Sequence, residues 1–170
     1  MGLIFKPAEV LSRALFLASM GLVAAIFVIV VYDVTTRNMG LRPPYWGVNT
    51  VEYALFWIAM LSMPDLVRTR GHVSVEVVLA ALSPAARSRL SAGISIFATG
   101  LCLFMAWRTG LKFVEAWNSG NYEVRAFDMP EWIIYLPMPI SFVLAGLMFL
   151  RYPLTGTSYH AGPAESAGGL

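Results

Sequence analysis

Few side chains in this chain could take part in chemistry, and the ionisable ones stand beside long apolar stretches rather than within them. Asp33 and Arg37 follow one stretch, and Glu52 precedes another. Ionisable groups in the middle of a membrane span usually mark a substrate or ion path, but these stretches contain none. We therefore interpret the charged residues as structural. Their similar depth would allow an ion pair between Arg37 and Glu52.

The two histidines and the single cysteine are the other candidates for ligand chemistry. A haem between transmembrane helices needs a pair of axial ligands, whereas His72 follows the second apolar stretch and His160 lies near the C-terminus. Cys102 lies in the middle of the third stretch. Because it is the only cysteine, the chain can form neither an internal disulfide nor a cysteine-based metal cluster. We predict no catalytic residue, no metal and no cofactor, and we interpret His72 as a polar anchor for a turn.

Four uncharged apolar stretches must position these residues. They are residues 14–32, 53–64, 90–107 and 132–150 of a chain of 170 residues. The chain is 58% hydrophobic and 13% charged, with a mean hydropathy of +0.66, unlike soluble domains. We predict an all-α integral membrane protein with four transmembrane helices over residues 1–153 and a disordered cytoplasmic tail over 154–170. The net charge of +2 is scattered, so nucleic acid is not a predicted partner.

Two pairs of residues predict where helices begin. Asn49 and Glu52 have the spacing of a capping box, in which the first side chain accepts a backbone N–H and the later carboxylate reaches back. Span two is therefore predicted to begin near Asn49. Asp128 and Glu131 repeat the spacing, so span four is predicted to begin near Met129.

Prolines and small residues add further expectations for spans three and four. Ser83 before Pro84 is typical of an N-cap and a first-turn proline, whereas Pro137 and Pro139 remove N–H donors and predict a kink.

Small side chains recur every four residues along span three, which favours close helix packing in lipid. This small-residue strip consists of Ala98, Cys102, Ala106 and Gly110. Its contact could lie within the chain or with a partner.

The connection between spans two and three carries a second, shorter apolar patch. Val75, Val78, Leu79 and Leu82 fall on one face of a helix, and the patch is too short to cross a bilayer. We predict a short amphipathic helix in the membrane interface. On its other face lie His72 and Glu76, and Gly71 is predicted to adopt positive φ where the chain turns.

Lysine and arginine positions predict the orientation. With the N-terminus in the cytoplasm, seven basic residues lie inside and five outside. The connection between spans two and three holds four arginines in about 25 residues, and short loops of this kind weigh most in the positive-inside rule. Both termini are therefore predicted to be cytoplasmic.

Residues spread over 13–151 resemble the small permease component of TRAP transporters, the DctQ-like family. The most specific segment is Gly71-His72-Val73-x-Val75-Glu76, in which Glu76 stands where the family more often has aspartate. The other matching positions are Arg37, Trp46, Glu52, Gly110, Pro130, Trp132 and Pro139.

The resemblance implies a tripartite, ATP-independent importer of organic acids in a bacterial inner membrane. In such a system, a periplasmic substrate-binding protein delivers the substrate, and a large DctM-like subunit moves it by an elevator motion driven by a sodium gradient. The small subunit is implied to be a non-catalytic scaffold in the lipid bilayer beside the large one. The matching positions and the small-residue strip are thus candidates for structural and partner contacts.

Two other interpretations stay open from the residues themselves. A self-contained, homodimeric small transporter would need a carboxylate deep in a span, and Glu52 lies close to an end. A membrane anchor of a redox enzyme would need paired histidines facing each other within the spans. The positions of Glu52, His72 and His160 meet neither requirement.

Overall fold

The computed structural model describes residues 2–69, 84–124 and 128–155. Its helices and strands are α1 (Gly2–Asn38), α2 (Gly47–Arg68), α3 (Pro84–Ser119), β1 (Tyr122–Val124), β2 (Asp128–Pro130), α4 (Glu131–Tyr135) and α5 (Pro137–Thr155). The interfacial helix predicted after span two lies outside the described residues, as does the chain beyond residue 155. The expected boundary between membrane domain and tail at residue 153 falls inside α5.

Four helical segments are long and apolar enough to cross a membrane. They are Phe5–Asn38, Gly47–Arg68, Ser88–Ser119 and Glu131–Leu154, which confirms the predicted all-α membrane fold with four spans. At a rise of about 1.5 Å per residue, the 37 residues of α1 and the 36 of α3 each exceed the roughly 30 Å hydrocarbon core. These two helices therefore project beyond the apolar part of the bilayer.

Helix α5 holds the bundle together because it contacts the three long helices. It packs most extensively against α3, then against α2, and more narrowly against α1, while α1 packs mainly against α2. The central residues of α5, Leu144, Ala145 and Met148, are almost fully buried. They form a core with Val67 of α2 and Cys102 of α3. This core stabilises the bundle by close packing, since lipid offers no hydrophobic drive for helices to associate.

Small polar side chains occupy many of the buried positions between the helices. Ser12 and Thr99 donate hydrogen bonds of 2.8 Å to the carbonyl oxygens of Ala8 and Ser95, four residues earlier in their own helices. A hydroxyl that donates to a carbonyl of its own helix can be buried without leaving its donor unsatisfied. Helices can therefore approach closely at these positions without a polar partner from a neighbour.

The predicted capping box at the start of α2 is wrong. The helix begins at Gly47 with Trp46 as its N-cap residue, and no side chain makes a capping hydrogen bond there. A backbone carbonyl of the preceding loop satisfies one donor of the first turn instead, because Gly47 N–H donates to Pro44 O at 3.2 Å. The N–H of Thr50 donates to Trp46 O at 3.0 Å, the first regular hydrogen bond of the helix. Asn49 consequently lies within the first turn.

A two-stranded hairpin precedes the fourth span, and sequence reasoning did not predict it. Strands β1 and β2 pair antiparallel, with Tyr122 opposite Pro130 and Val124 opposite Asp128. Asp128 is therefore part of a strand, and the capping box predicted for it is wrong. The N–H of Glu131 instead donates to Asn121 O at 3.1 Å, so the chain before the hairpin satisfies the first turn of α4.

Prolines set the other two helix boundaries as predicted. Helix α3 begins at Pro84, and its expected cap residue lies outside the described part. The fourth span is interrupted at Leu136, between α4 and α5. Pro137 and Pro139 cannot donate to the carbonyls of Ile133 and Tyr135, so the break falls where these two carbonyls lose their helical donors, while the N–H of Leu136 still donates to Trp132 O at 3.0 Å.

Candidate functional site

The candidate site residues fall into three regions of the bundle. The hairpin end contains β1, β2, the end of α1 and the start of α2. The terminal end contains the start of α1 and the ends of α2 and α5. Between them runs the α3–α5 seam, the long contact between these two helices.

At the hairpin end, the structure pairs Arg37 with a residue of its own helix. Arg37 Nε donates to Asp33 Oδ2 at 2.8 Å and Nη2 to Oδ1 at 3.4 Å. The Arg37 ion pair that the structure shows is thus within α1, one turn apart, and not the pair with Glu52 that similar depth suggested. Trp46 caps α2 through its backbone, since its carbonyl accepts from the N–H and the hydroxyl of Thr50.

An apolar groove of about 210 Å³ lies between α1 and α2 at this end. Its lining residues are Ile29, Val30, Asp33, Gly47, Val48, Val51 and Glu52. The groove thus joins an aliphatic surface to two carboxylates, which come from different helices. We call this space the α1–α2 groove.

Across the hairpin end, an aromatic contact joins α3 to α4. The rings of Trp117 and Trp132 meet edge to face with centroids 5.0 Å apart, an arrangement that stabilises aromatic pairs. Pro130 is the N-cap residue of α4, and Lys112 Nζ lies 2.6 Å from Glu115 Oε2 on the exposed face of α3. Two candidates from the sequence, Pro130 and Trp132, are therefore placed where the hairpin meets the long helix.

The small-residue strip of α3 faces α5 along the seam. Cys102 and Ala106 are buried, while Ala98 and Gly110 are partly buried. A Cβ placed on Gly110 would lie 4.0 Å from Pro139 Cβ. The structure thus places Gly110 beside Pro139 within the chain, and it buries Cys102 and Ala106 of the same strip.

Sequence reasoning missed the partner of this strip on α5. A Cβ on Gly146 would come within 3.3 Å of Cys102 Cβ and 3.6 Å of Leu103 Cδ2, so a side chain there would require α3 and α5 to shift by a few tenths of an ångström. Thr99 Oγ1 also lies 3.5 Å from Gly146 O. The available signal was the adjacent pair of small residues at Ala145 and Gly146 in an otherwise bulky apolar span.

The terminal end is tied by polar contacts that the sequence did not indicate. Tyr152 donates its hydroxyl toward two carbonyls at the end of α2, Val67 O at 3.0 Å and Arg68 O at 3.2 Å. Arg68 Nε pairs with Asp65 Oδ1 at 2.8 Å, and Arg151 pairs with Glu9. These contacts connect α1, α2 and α5 just before the segment that carries the most specific family motif.

Three candidates from that motif, Gly71, His72 and Glu76, lie outside the described residues. Within residues 2–69, 84–124 and 128–155, no three His, Cys, Asp or Glu side chains are grouped so that they could hold a metal ion. The charged residues of the described helices stand toward the helix ends, with the uncharged stretches between them. The arrangement can fix helices and present surfaces.

These features define a multi-pass membrane protein of four spans, built around a tightly packed central helix. The family model for tripartite ATP-independent periplasmic transporters, DctQ component, matches residues 26–154. The chain therefore belongs to this family and is the small membrane subunit of a TRAP transporter, as the resemblance predicted. Comparison with curated proteins found no match.

Proposed function

We propose that this subunit is a non-catalytic scaffold that braces a large, DctM-like elevator subunit in a bacterial inner membrane. The observation that carries the proposal is the absence of ionisable side chains from the middle of the four described spans. Transport paths usually place such groups at that depth. A subunit with its charges at helix ends is suited to hold a fixed position while another subunit moves.

The packing of the described helices agrees with a rigid brace. The α3–α5 seam is narrow enough that a Cβ added at Gly146 would lie 3.3 Å from Cys102 Cβ, and polar contacts tie three helices at the terminal end. A packed core resists continuous deformation. The scaffold role therefore needs no internal motion of this chain.

Family membership and the charge pattern support the remaining parts of the proposal. The substrate is an organic acid delivered by a periplasmic binding protein, and a sodium gradient drives its uptake through the large subunit. Both termini of this chain lie in the cytoplasm, as the arginines between spans two and three favour.

Isolation of the chain from its native membrane tests the scaffold proposal. A tag after Leu170 should retain a second, larger multi-pass subunit in mild detergent at a constant ratio, and deletion of this chain should reduce the amount of that subunit in the membrane. A tagged chain that elutes only as its own dimer, from cells in which uptake is intact, would contradict the proposal and favour the self-contained transporter.

A further inference from the structure

One face of α1 points away from the other helices of the bundle. Its residues recur at intervals of three, four or seven positions and are all exposed, and they are Lys6, Val10, Arg13, Leu17, Met20 and Phe27. Leu17 and Phe27 leave 65% and 69% of their surface accessible. The buried residues Ala8, Ser12 and Ser19 lie on the other side of the helix. We call the exposed face the outer stripe of α1.

The outer stripe carries two cations and no acid. Lys6 and Arg13 lie about two helical turns apart on it, and neither side chain has a hydrogen-bond or ion-pair partner among the described residues. The neighbouring carboxylate of α1, Glu9, is partly buried and pairs with Arg151 of α5. The stripe therefore presents two positive charges that the described part of the chain does not neutralise.

Arg13 lies at the edge of the hydrocarbon. It directly precedes the uncharged stretch 14–32, whose 19 residues match the roughly 20 that cross a bilayer core. Side chains of a helix lean toward its N-terminus, so the guanidinium of Arg13 extends from this edge into the headgroup layer. Lys6 lies about 10 Å farther along the helix axis, a distance over which exposed charges still interact in salt solution.

The side chains of the stripe suit lipid better than a partner helix. Helices that pack closely in membranes meet through small residues, whereas Leu17, Met20 and Phe27 are large and protrude from α1. Acyl chains are flexible and can fill the spaces between such side chains. At the charged end, a headgroup phosphate can accept hydrogen bonds from the guanidinium of Arg13.

The charge of the stripe selects among headgroups. A zwitterionic headgroup brings a cation of its own close to Lys6 and Arg13, and this cation opposes the attraction of its phosphate. A headgroup with a net negative charge brings the phosphate alone. Basic residues beside a membrane surface attract anionic lipids for this reason.

We propose that the outer stripe of α1 binds an anionic phospholipid of the phosphatidylglycerol class at the terminal end. Arg13 contacts the headgroup phosphate, Lys6 adds attraction from the aqueous side, and the upper part of an acyl chain lies on Leu17 and Met20. The orientation proposed above would place this site in the cytoplasmic leaflet, whose surface is negative. The site shares no residue with the α1–α2 groove and goes beyond the scaffold function.

Native mass spectrometry of the purified full-length chain tests the headgroup preference. Phosphatidylglycerol and phosphatidylcholine with identical acyl chains are titrated separately, and the apparent Kd of each is compared. We expect phosphatidylglycerol to bind about fivefold more tightly, the attraction of one basic residue for an anionic surface. Equal affinities would overturn the proposal without any change to the protein.

Variants then locate the preference in the chain. Arg13→Gln should reduce the preference toward one, whereas Arg13→Lys keeps the charge and should retain most of it. Lys112→Gln is the matched control, because it removes one positive charge from an exposed side chain of α3 that is already paired with Glu115. A preference that is undiminished in Arg13→Gln, or an equal loss in Lys112→Gln, would contradict the assignment.

Crosslinking in the assembled complex separates lipid from protein as the occupant. Phosphatidylglycerol with a diazirine in the upper part of one acyl chain should label the peptide that contains residues 13–20. Labels spread evenly over the four spans would overturn the site. A photoreactive residue at position 17 should crosslink to lipid, and a crosslink to another polypeptide would show that protein covers the stripe and would overturn the proposal while leaving the scaffold role intact.

Discussion

Tyr152 joins α5 to the end of α2 through a single hydroxyl. The phenol donates toward the carbonyls of Val67 and Arg68, which belong to the last turn of a helix and have few partners within it. Tyr152→Phe keeps the ring and removes the donor. We expect the free energy of unfolding to fall by about 0.5–1.5 kcal/mol, measured by thermal unfolding of the purified chain in detergent.

Tyr45 provides the matched control for this substitution. Its side chain is 75% exposed at the loop before α2, so Tyr45→Phe should leave the unfolding transition unchanged. Equal effects of the two substitutions would mean that the hydroxyl of Tyr152 contributes nothing to holding α2 against α5.

The contacts of some single residues could be predicted from the sequence, and those of others could not. The small-residue strip could be found because its four-residue period is local, and its member Cys102 does lie against α5. The contact between Arg151 and Glu9 could not, because the two residues are far apart in the chain and no local pattern relates them. Gly146 was missed because a lone glycine in an apolar span has the same sequence context against lipid as against a helix.

At the scale of elements, the α3–α5 seam depends on the absence of a side chain at Gly146. A Cβ added at this glycine would lie 3.3 Å from Cys102 Cβ, tighter than an ordinary contact. Gly146→Val should therefore push α3 away and lower the free energy of unfolding by about 1–3 kcal/mol through overpacking. Gly100→Val is the matched control, because a Cβ at Gly100 meets nothing within 4 Å.

Thermal unfolding of both variants measures the difference. A drop in the transition temperature for Gly146→Val alone would place the tight contact inside this chain. If both variants unfold like the parent, the seam has room that the structure does not show, and the description of α3 and α5 as a closed unit fails.

The sequence predicted the helices themselves better than the residues at which they begin. Long uncharged stretches leave few alternatives in a bilayer, since every backbone group must be bonded within the segment. The side-chain caps predicted at Asn49 and Asp128 are wrong. A loop carbonyl accepts from the first turn of α2, and Asp128 is paired in a strand. The hairpin escaped notice because its strands have only three residues each, too few for an alternating pattern to stand out.

At the scale of the whole molecule, orientation decides which loops face which partner. A reporter that works only in the cytoplasm should be active when fused after Leu170 and silent when fused after Gly120, which lies between α3 and β1 with φ of +62°. The arginines between residues 68 and 89 motivate this expectation. The reverse pattern of activity would invert the orientation and every assignment of loops to a side.

The central claim is that this subunit supports transport without performing it, and uptake by reconstituted protein tests it most directly. Liposomes with an inward sodium gradient are prepared with this chain alone and with the complete set of large subunit, small subunit and binding protein. The complete set should accumulate the organic acid, and the lone chain should show no uptake and no response to sodium, because its described spans hold no charge at mid-membrane. Sodium-driven uptake by the lone chain, abolished by Glu52→Gln, would contradict the scaffold role and identify a self-contained transporter.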